Sequence, residues 1–285
     1  MRELRTEELA MIKKIELNIL LEFDRLCKKN GINYSLTGGT LLGAIRHKGF
    51  IPWDDDIDVV MLQDDYAKFL KVANEQLSKK YYIENLDTDC FFGYPPITKI
   101  MAKHTIMKEI KYGKSRAQKG VFIDIFPLYR CSNFKRIRSL KFGLIQRLAK
   151  DFRCRNGFYF ETKGLKDFVY KVRRMIYSAI PLCLYKAVFR LLLDYSQNCV
   201  DNEYVISYGG VYGVEKESLK KEWFDDYTQV EFEGHFFASI AKYDEYLKKH
   251  YGAYMELPPL ECQIPHHYLD ELYIDEMYWR FNDND

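Results

Sequence analysis

The acidic run Asp54-Asp55-Asp56-Ile57-Asp58 contains the side chains of this sequence that are best suited to chemistry. If the run enters a strand, Asp56 and Asp58 point to the same face, because residues two apart share a face. Two carboxylates so close repel each other, and a divalent cation relieves the repulsion. Mg²⁺ prefers oxygen ligands, and one or two carboxylates with substrate phosphates complete its shell. We therefore predict a metal site at Asp56 and Asp58, with Asp55 facing away.

A second carboxylate, Asp124, stands alone in the apolar stretch 121–126. A buried charge without a partner costs several kcal/mol at least, so Asp124 needs a counter-charge. We expect Asp124 to be a third ligand if its strand lies beside that of Asp58. Asp54 is a weaker fourth candidate, because its backbone belongs to the loop before the strand.

The glycine pair Gly38-Gly39 precedes a short predicted helix at residues 40–47. Glycines let the backbone approach a phosphate closely, and a helix N-terminus offers free N–H groups. Arg46 and Lys48 add cationic donors just before the acidic run. Each feature alone could be structural: a common turn, a solvated acidic loop or a cationic helix end. Their order along the chain is more specific and predicts a polyphosphate–metal site.

The hydrophobic pattern predicts the elements that must position these residues. Apolar residues recur every three or four positions between Ile12 and Leu26, and Asn30-Gly31 ends that helix with a left-handed cap. Elsewhere in the chain, alternating or continuous apolar runs predict β-strands. The predicted strands are 32–36, 57–62, 81–84, 97–101 and 121–126, and a further helix is predicted at 64–78.

Composition excludes several classes of protein. The chain of 285 residues carries 43 basic and 41 acidic side chains, so its overall charge does not favour a nucleic-acid partner. Its seven cysteines form no C-x-x-C pair, which favours reduced thiols over a zinc site. The charged N-terminus and the lack of a long uncharged stretch predict a soluble, cytoplasmic protein without a signal peptide.

The middle of the chain differs in composition from the rest. Between Phe134 and Arg190 there are 15 Lys and Arg residues but 3 Asp and Glu residues, with aromatic residues interleaved. Such a segment suits a surface that meets anionic lipid. A helical subdomain with a solvated basic face is the alternative, and the sequence does not decide between them.

Three blocks of the sequence resemble the LicD family of the nucleotidyltransferase-fold superfamily. They are Thr37 to Asp58, Phe122 to Leu128, and Tyr246 to Pro259, whereas residues 134–225 carry no matching motif. The resemblance implies an α/β (α+β) fold, a nucleotidyltransferase-like mixed sheet flanked by helices with a basic helical insertion. The expected organisation is a catalytic core at 1–130, a basic aromatic helical segment at 131–225, and a C-terminal part at 226–285 that completes the active site.

The resemblance also implies an activity. Bacterial LicD enzymes transfer phosphocholine from CDP-choline to glycans, and the relatives fukutin and fukutin-related protein transfer ribitol phosphate. We therefore expect an enzyme that transfers a phospho-alcohol, with CDP-choline favoured as donor, to a glycan or lipid-linked teichoic-acid precursor and releases CMP. The expected cofactor is Mg²⁺, as one or two ions, with Mn²⁺ as a substitute. The expected location is the cytoplasm, with peripheral binding to the inner face of the plasma membrane.

Residue roles follow from the resemblance in the same way. Asp56, Asp58 and Asp124 take the metal and catalytic roles, and either Asp56 or Asp124 accepts the proton of the acceptor hydroxyl. If choline is transferred, an aromatic cage is expected, and plain core packing is the alternative for its candidate members Phe50, Trp53 and Tyr94. The residues expected to contact nucleotide or phosphate are Gly38, Gly39, Thr40, Arg46, Lys48, His266 and His267.

The sequence leaves other functions open. A nucleotidyltransferase that consumes a nucleoside triphosphate would release pyrophosphate instead of CMP. An RNA-binding module, or a catalytically inactive partner in glycan assembly, would use the basic segment without the chemistry.

Overall fold

In the computed structural model of the chain, residues 5–158, 164–194, 203–264 and 268–279 are described. His266 and His267 lie outside the described residues. The helices of the first part of the chain are α1 (Thr6–Asn30), α2 (Gly38–His47) and α3 (Gln63–Gln76). Those of the rest are α4 (Lys135–Arg155), α5 (Leu165–Ser178), α6 (Leu182–Asp194), α7 (Val214–Glu217) and α8 (Tyr243–Tyr251).

The strands before the basic segment are β1 (Ser35–Leu36), β2 (Asp58–Leu62), β3 (Tyr81–Glu84), β4 (Thr98–Ala102), β5 (Thr105–Glu109) and β6 (Phe122–Cys131). Those after it are β7 (Tyr204–Ser207), β8 (Ser218–Lys220), β9 (Tyr227–Phe232), β10 (His235–Ile240) and β11 (Leu269–Ile274). Short 3-10 helices occur at Ile110–Tyr112, Lys221–Phe224 and Leu260–Cys262.

The main sheet is mixed and has the order β1-β2-β6-β4-β3, with β7 and β8 joined to it through β6. Strand β6 is ten residues long, and it runs parallel to β2. On its other edge it pairs antiparallel with β4 and then with β7. The strand pairs β9–β10 and β5–β11 form two small separate sheets. This confirms the predicted mixed α/β architecture of a sheet flanked by helices.

Helix α1 packs its apolar face into the main core. Its five predicted core residues, from Ile12 to Leu26, are all almost fully buried. Gly31 adopts a left-handed conformation with φ 59°, and its N–H donates to the Cys27 carbonyl. The capping prediction is therefore confirmed.

Several predicted boundaries move. The first predicted strand forms ladder bonds only at Ser35–Leu36, and the second begins at Asp58 instead of residue 57. Asp56 consequently lies in the loop before β2, not in the strand. Helix α2 begins at Gly38, so the two glycines form its first turn instead of a turn before it.

The basic middle of the chain is only partly helical. Helices α4 and α6 form a second, smaller core in which Phe152 of α4 and Tyr185 and Phe189 of α6 are buried with residues of β6 and β7, whereas α5 contributes no buried side chain. The end of the stretch expected to be helical instead supplies β7 and β8 to the main sheet. No single helix in the described ranges is long and apolar enough to cross a membrane, although α5 and α6, bent by 90° at their junction, meet that test as a pair.

Candidate active site

A row of charged residues crosses four neighbouring strands of the main sheet. Asp58 on β2 is in register with Asp124 on β6, Asp124 with Lys99 on β4, and Lys99 with Glu84 on β3. Residues directly opposite each other across paired strands share a face, so the four side chains lie side by side. We call these four residues the charged row. The condition set for Asp124, that its strand lies beside that of Asp58, is met.

Lys99 is the cation of the charged row. Its Nζ lies 2.6 Å from Asp124 Oδ1, and its side chain is 3% exposed. The same ammonium lies 3.1 Å from the centroid of the Phe122 ring. A buried pair of this kind holds both side chains in one geometry, because either charge alone would be left uncompensated. Lys99 therefore fixes the position of the Asp124 carboxylate.

Acidic groups crowd Asp58 from several sides. Desolvation raises the pKa of Asp58 well above its usual value, and Asp56, Asp124 and Asp54 raise it further. Glu84, at the other end of the row, has its pKa raised to about 9, chiefly by desolvation. Carboxylates in such surroundings are stabilised either by protonation or by a nearby cation.

The chemistry of this donor set fits a divalent cation that prefers oxygen ligands. Asp54, Asp56, Asp58 and Asp124 all line one cleft, whereas Asp55 is buried outside its lining. Among the described residues, no group of three or more Asp, Glu, His or Cys side chains is arranged so that it could hold a metal ion. Charge and ligand type thus fit Mg²⁺, and the carboxylates would have to draw together to enclose it.

Gly38 and Gly39, at the start of α2, make room for carboxylates. A Cβ on Gly39 would lie 2.2 Å from Asp54 Oδ2, and a Cβ on Gly38 would lie 3.1 Å from Asp58 Oδ2. Gly38 also has φ 56°, which favours glycine. Both carboxylates therefore lie against the N-terminus of a helix, where negative charge is stabilised.

Tyr246 of α8 occupies part of this helix terminus. Its hydroxyl accepts a hydrogen bond from the Gly38 N–H at 3.0 Å and lies 2.7 Å from Thr37 Oγ1. Thr40 Oγ1 accepts the backbone N–H of Asp58 at 2.8 Å, so Thr40 joins α2 to β2 and lies outside the cleft lining. The C-terminal helix is thereby linked to the first turn of α2.

The cleft next to the charged row has a volume of about 970 Å³. Among the residues predicted to bind phosphate, Gly38, Gly39 and Arg46 line it. Arg46 Nη1 donates to the carbonyls of Tyr254 and Glu256, which holds the loop after α8 against the cleft. Lys48 is exposed at the end of α2 and does not line the cleft.

The three predicted cage residues do not come together. Trp53 and Tyr94 both line the cleft, but Phe50 does not. Phe50 packs instead on Phe232 of β9, with ring centroids 4.9 Å apart. A cage made of all three side chains therefore does not form.

Sequence reasoning missed several residues of this site. Lys99 gave a usable signal, because it is a lone cation in an apolar strand, the same pattern that identified Asp124. Arg153 lines the cleft from a helix whose sequence matched no motif, and nothing in its neighbourhood distinguishes it from other arginines there. Glu217 comes from an element far along the chain, so only the fold brings it to the cleft, whereas Tyr246 begins the third block that resembles the family but was given no role of its own.

Comparison of the sequence with known proteins identifies the family of this chain. The family described as LicD/FKTN/FKRP, nucleotidyltransferase domain, matches residues 31–166. The lipopolysaccharide cholinephosphotransferase LicD of Haemophilus influenzae is 35% identical over 268 residues, which cover 90% of this chain and 95% of that protein. The chain belongs to the LicD family. The ribitol 5-phosphate transferase FKRP of Mus musculus is 30% identical over 139 residues, which cover 40% of this chain and 28% of that protein.

Membership of the LicD family confirms the resemblance read from the three sequence blocks. The chain is an enzyme of the phosphotransferase class, and the expectation of phospho-alcohol transfer is confirmed in general terms. The matched residues include the whole charged row and all of α4.

Proposed function

We propose that this LicD-family enzyme transfers a phospho-alcohol, with phosphocholine favoured, from a CDP-activated donor to a hydroxyl of a cell-surface glycan or teichoic-acid precursor. The observation that carries this proposal is the alignment of Asp58 and Asp124 on adjacent parallel strands, beside a cleft of about 970 Å³. The acceptor oxygen forms a bond to the phosphorus that bears the alcohol. The bond from that phosphorus to the bridging oxygen breaks, and CMP leaves with the electron pair.

The proposed metal is Mg²⁺, with Mn²⁺ as a substitute. Asp56, Asp58 and Asp124 would hold it, with Asp54 as a further ligand against Gly39. When bound, the ion would offset charge on the donor diphosphate and on the leaving phosphate. The acceptor proton passes to a carboxylate oxygen of either Asp56 or Asp124.

Other residues orient the donor in this proposal. Arg46 lies half-buried in the cleft wall, where its guanidinium can stabilise negative charge on the departing phosphate. Trp53 lies on the same wall, and its ring face suits the trimethylammonium group of choline.

The test is a product assay with CDP-choline, Mg²⁺ and two variants, Asp56→Asn and Asp58→Asn. Both should lower CMP release by roughly 1,000-fold or more, since each removes a group that acts on the reacting phosphate. Asp64→Asn is the control, because Asp64 is exposed and faces Arg130 at 3.6 Å outside the cleft lining. Full CMP release in both variants would refute the assignment, and release of pyrophosphate from a triphosphate by the wild-type enzyme would favour a nucleotidyltransferase.

We also propose that α5 and α6 dock on an anionic membrane that presents a lipid-linked acceptor. Helix α5 buries no side chain, and its apolar residues face solvent beside several lysines and arginines. Apolar side chains combined with basic residues are the pattern of helices that lie in a membrane interface. The exposed apolar residues of the pair are Leu165, Phe168, Val169, Met175, Ile176, Leu184 and Leu191.

Flotation with liposomes of phosphatidylglycerol and phosphatidylcholine tests this docking. The wild-type chain should float with the anionic liposomes at low salt, and Phe168→Ser combined with Ile176→Ser should reduce the bound fraction several-fold. Phe236→Ser is the matched control, because Phe236 is equally an exposed phenylalanine but lies on β10. No flotation of the wild-type chain at low salt would remove the membrane as a partner.

A further inference from the structure

The Tyr94 hydroxyl is a buried polar group that lacks a hydrogen-bond partner in the described part of the chain. Tyr94 lines the cleft. The ammonium groups of Lys99 and Lys111 lie 5.1 Å and 5.2 Å from its ring centroid. Desolvation, and after it the charge of Glu109, raises the pKa of Tyr94, whereas the charge of Arg153 favours the ionised hydroxyl. An orphaned donor surrounded by three cations is suited to an anion.

Within the described ranges of the chain, Arg153 differs from the two lysines in lacking a carboxylate partner. Lys99 pairs with Asp124, and Lys111 Nζ lies 2.5 Å from Glu109 Oε2. For Arg153, desolvation lowers the pKa, and no carboxylate of the described residues offsets that cost. A half-buried guanidinium in a cleft wall is well suited to a bidentate hydrogen bond with a phosphate or carboxylate.

Contacts between three segments hold these groups in place. Asn156, which follows α4, donates from Nδ2 to the carbonyls of Cys90 and Phe92. The Phe158 ring packs against Tyr94, with ring centroids 5.6 Å apart. The Lys114 N–H donates to the Gly157 carbonyl at 3.1 Å, which ties the segment of Lys111 to the end of α4. The arrangement is therefore preformed and needs little reorganisation to bind a ligand.

We propose that Arg153, Lys111 and Tyr94 form a subsite that binds a phosphate group of one of the two substrates. This subsite deepens the proposed function and rests on it. The phosphate belongs either to the diphosphate of the donor or to a phosphorylated sugar of the acceptor. The same cations disfavour a quaternary ammonium beside Tyr94, so Tyr94 is removed from the candidate choline cage.

Binding measurements by calorimetry test the subsite without requiring turnover. The probes are CDP-choline for the donor, and glucose 6-phosphate with glucose as its uncharged reference for the acceptor. The variants are Arg153→Met and Tyr94→Phe, with folding checked by circular dichroism. Arg147→Met is the matched control, because Arg147 lies on the same helix and pairs with Asp151 on the surface.

We expect Arg153→Met to weaken binding of one phosphate probe by about 10-fold to 100-fold, since it removes a charged hydrogen bond. Tyr94→Phe should weaken the same probe by roughly 3-fold to 10-fold. Loss confined to CDP-choline identifies the donor phosphate, and loss confined to glucose 6-phosphate identifies the acceptor. Affinities within about twofold of wild type for both probes, in folded variants, would overturn the subsite, as would a wild-type chain that binds neither probe.

These outcomes are separable from those of the proposed function. If the wild-type enzyme releases no CMP from any CDP-alcohol, the transferase proposal fails. The binding losses at Arg153 would still report whether the subsite exists, because they are measured without product formation.

Discussion

The sheet around the charged row and the helical segment formed by α4, α5 and α6 hold their charges in opposite ways. In the sheet, Lys99 is 3% exposed and is locked to Asp124 by strand register. In the helical segment, pairs such as Arg147–Asp151 and Lys171–Asp167 lie one helical turn apart, with their basic partners largely exposed. Buried pairs are costly to break, whereas exposed pairs are worth little.

Packing differs between the two regions as well. Gly38 and Gly39 of α2 lie against carboxylates, while Gly143 of α4 has nothing within 4 Å of an added Cβ. Gly38 and Gly39 beside the charged row are therefore restricted by neighbouring side chains. In the helical segment, Phe152, Tyr185 and Phe189 of the second core are packed, whereas the surface of α4 around Gly143 is open. This contrast explains why sequence motifs could be recognised around the charged row but not in the helical segment.

The largest expected effect on stability comes from breaking the ion pair between Lys99 and Asp124. Lys99→Met should lower the free energy of unfolding by about 3–5 kcal/mol, because it leaves the Asp124 carboxylate, only 16% exposed, without its counter-charge. Added Mg²⁺ should restore part of that loss by supplying the missing positive charge. Urea unfolding with and without Mg²⁺ measures both effects. Arg147→Met should leave the midpoint unchanged, and equal losses in the two variants would contradict the comparison.

A pH dependence of stability separates two glutamates of α7 that face the two regions. Glu217 is buried beside the sheet, and desolvation raises its pKa to about 7. The folded state thus disfavours its ionised form, so stability present below the ordinary pKa of about 4.5 is lost as the pH rises to about 7. Glu217→Gln should become more stable than wild type over this range by about 3 kcal/mol.

Glu215 is the internal control for this experiment. Its hydrogen bond to Lys135 of α4 lowers the pKa of Glu215. Any contribution of Glu215 is therefore lost as the pH falls, which is the opposite direction. Urea midpoints measured between pH 4 and pH 8 test Glu217→Gln and the control Glu215→Gln. A difference between Glu217→Gln and wild type that is constant with pH would contradict the burial argument.

The smallest effects concern the glycines, and they should have opposite signs. Gly39→Ala should cost about 1–3 kcal/mol, because its Cβ would meet Asp54 Oδ2 in a packed site. Gly143→Ala should stabilise the protein by about 0.5–1 kcal/mol, because alanine is the better helix former in open space. Thermal unfolding of both variants measures the pair. Destabilisation by Gly143→Ala would show that α4 is as tightly restricted as α2.

The core helix, the main strands and the four aspartates that line the cleft were predictable because their patterns are local. Apolar residues at spacings of three and four identify α1. Asp124 is recognised as a lone carboxylate in an apolar strand. The register that joins Asp58, Asp124, Lys99 and Glu84 was not predictable, because strand order depends on contacts between distant parts of the chain. The strands β7 and β8 were missed because the basic composition before them concealed the return to the sheet.

The sequence by itself determined the family, the mixed α/β architecture and the acidic chemistry of the site, because spacing and residue type are sufficient for these. Only the tertiary structure decided how charge is balanced there. It paired Lys99 with Asp124, put Asp54 and Asp58 against the glycines of α2, removed Phe50 and Lys48 from the cleft lining, and brought Arg153 and Tyr246 to the cleft. These outcomes depend on desolvation and on distances between remote segments, which no local pattern contains.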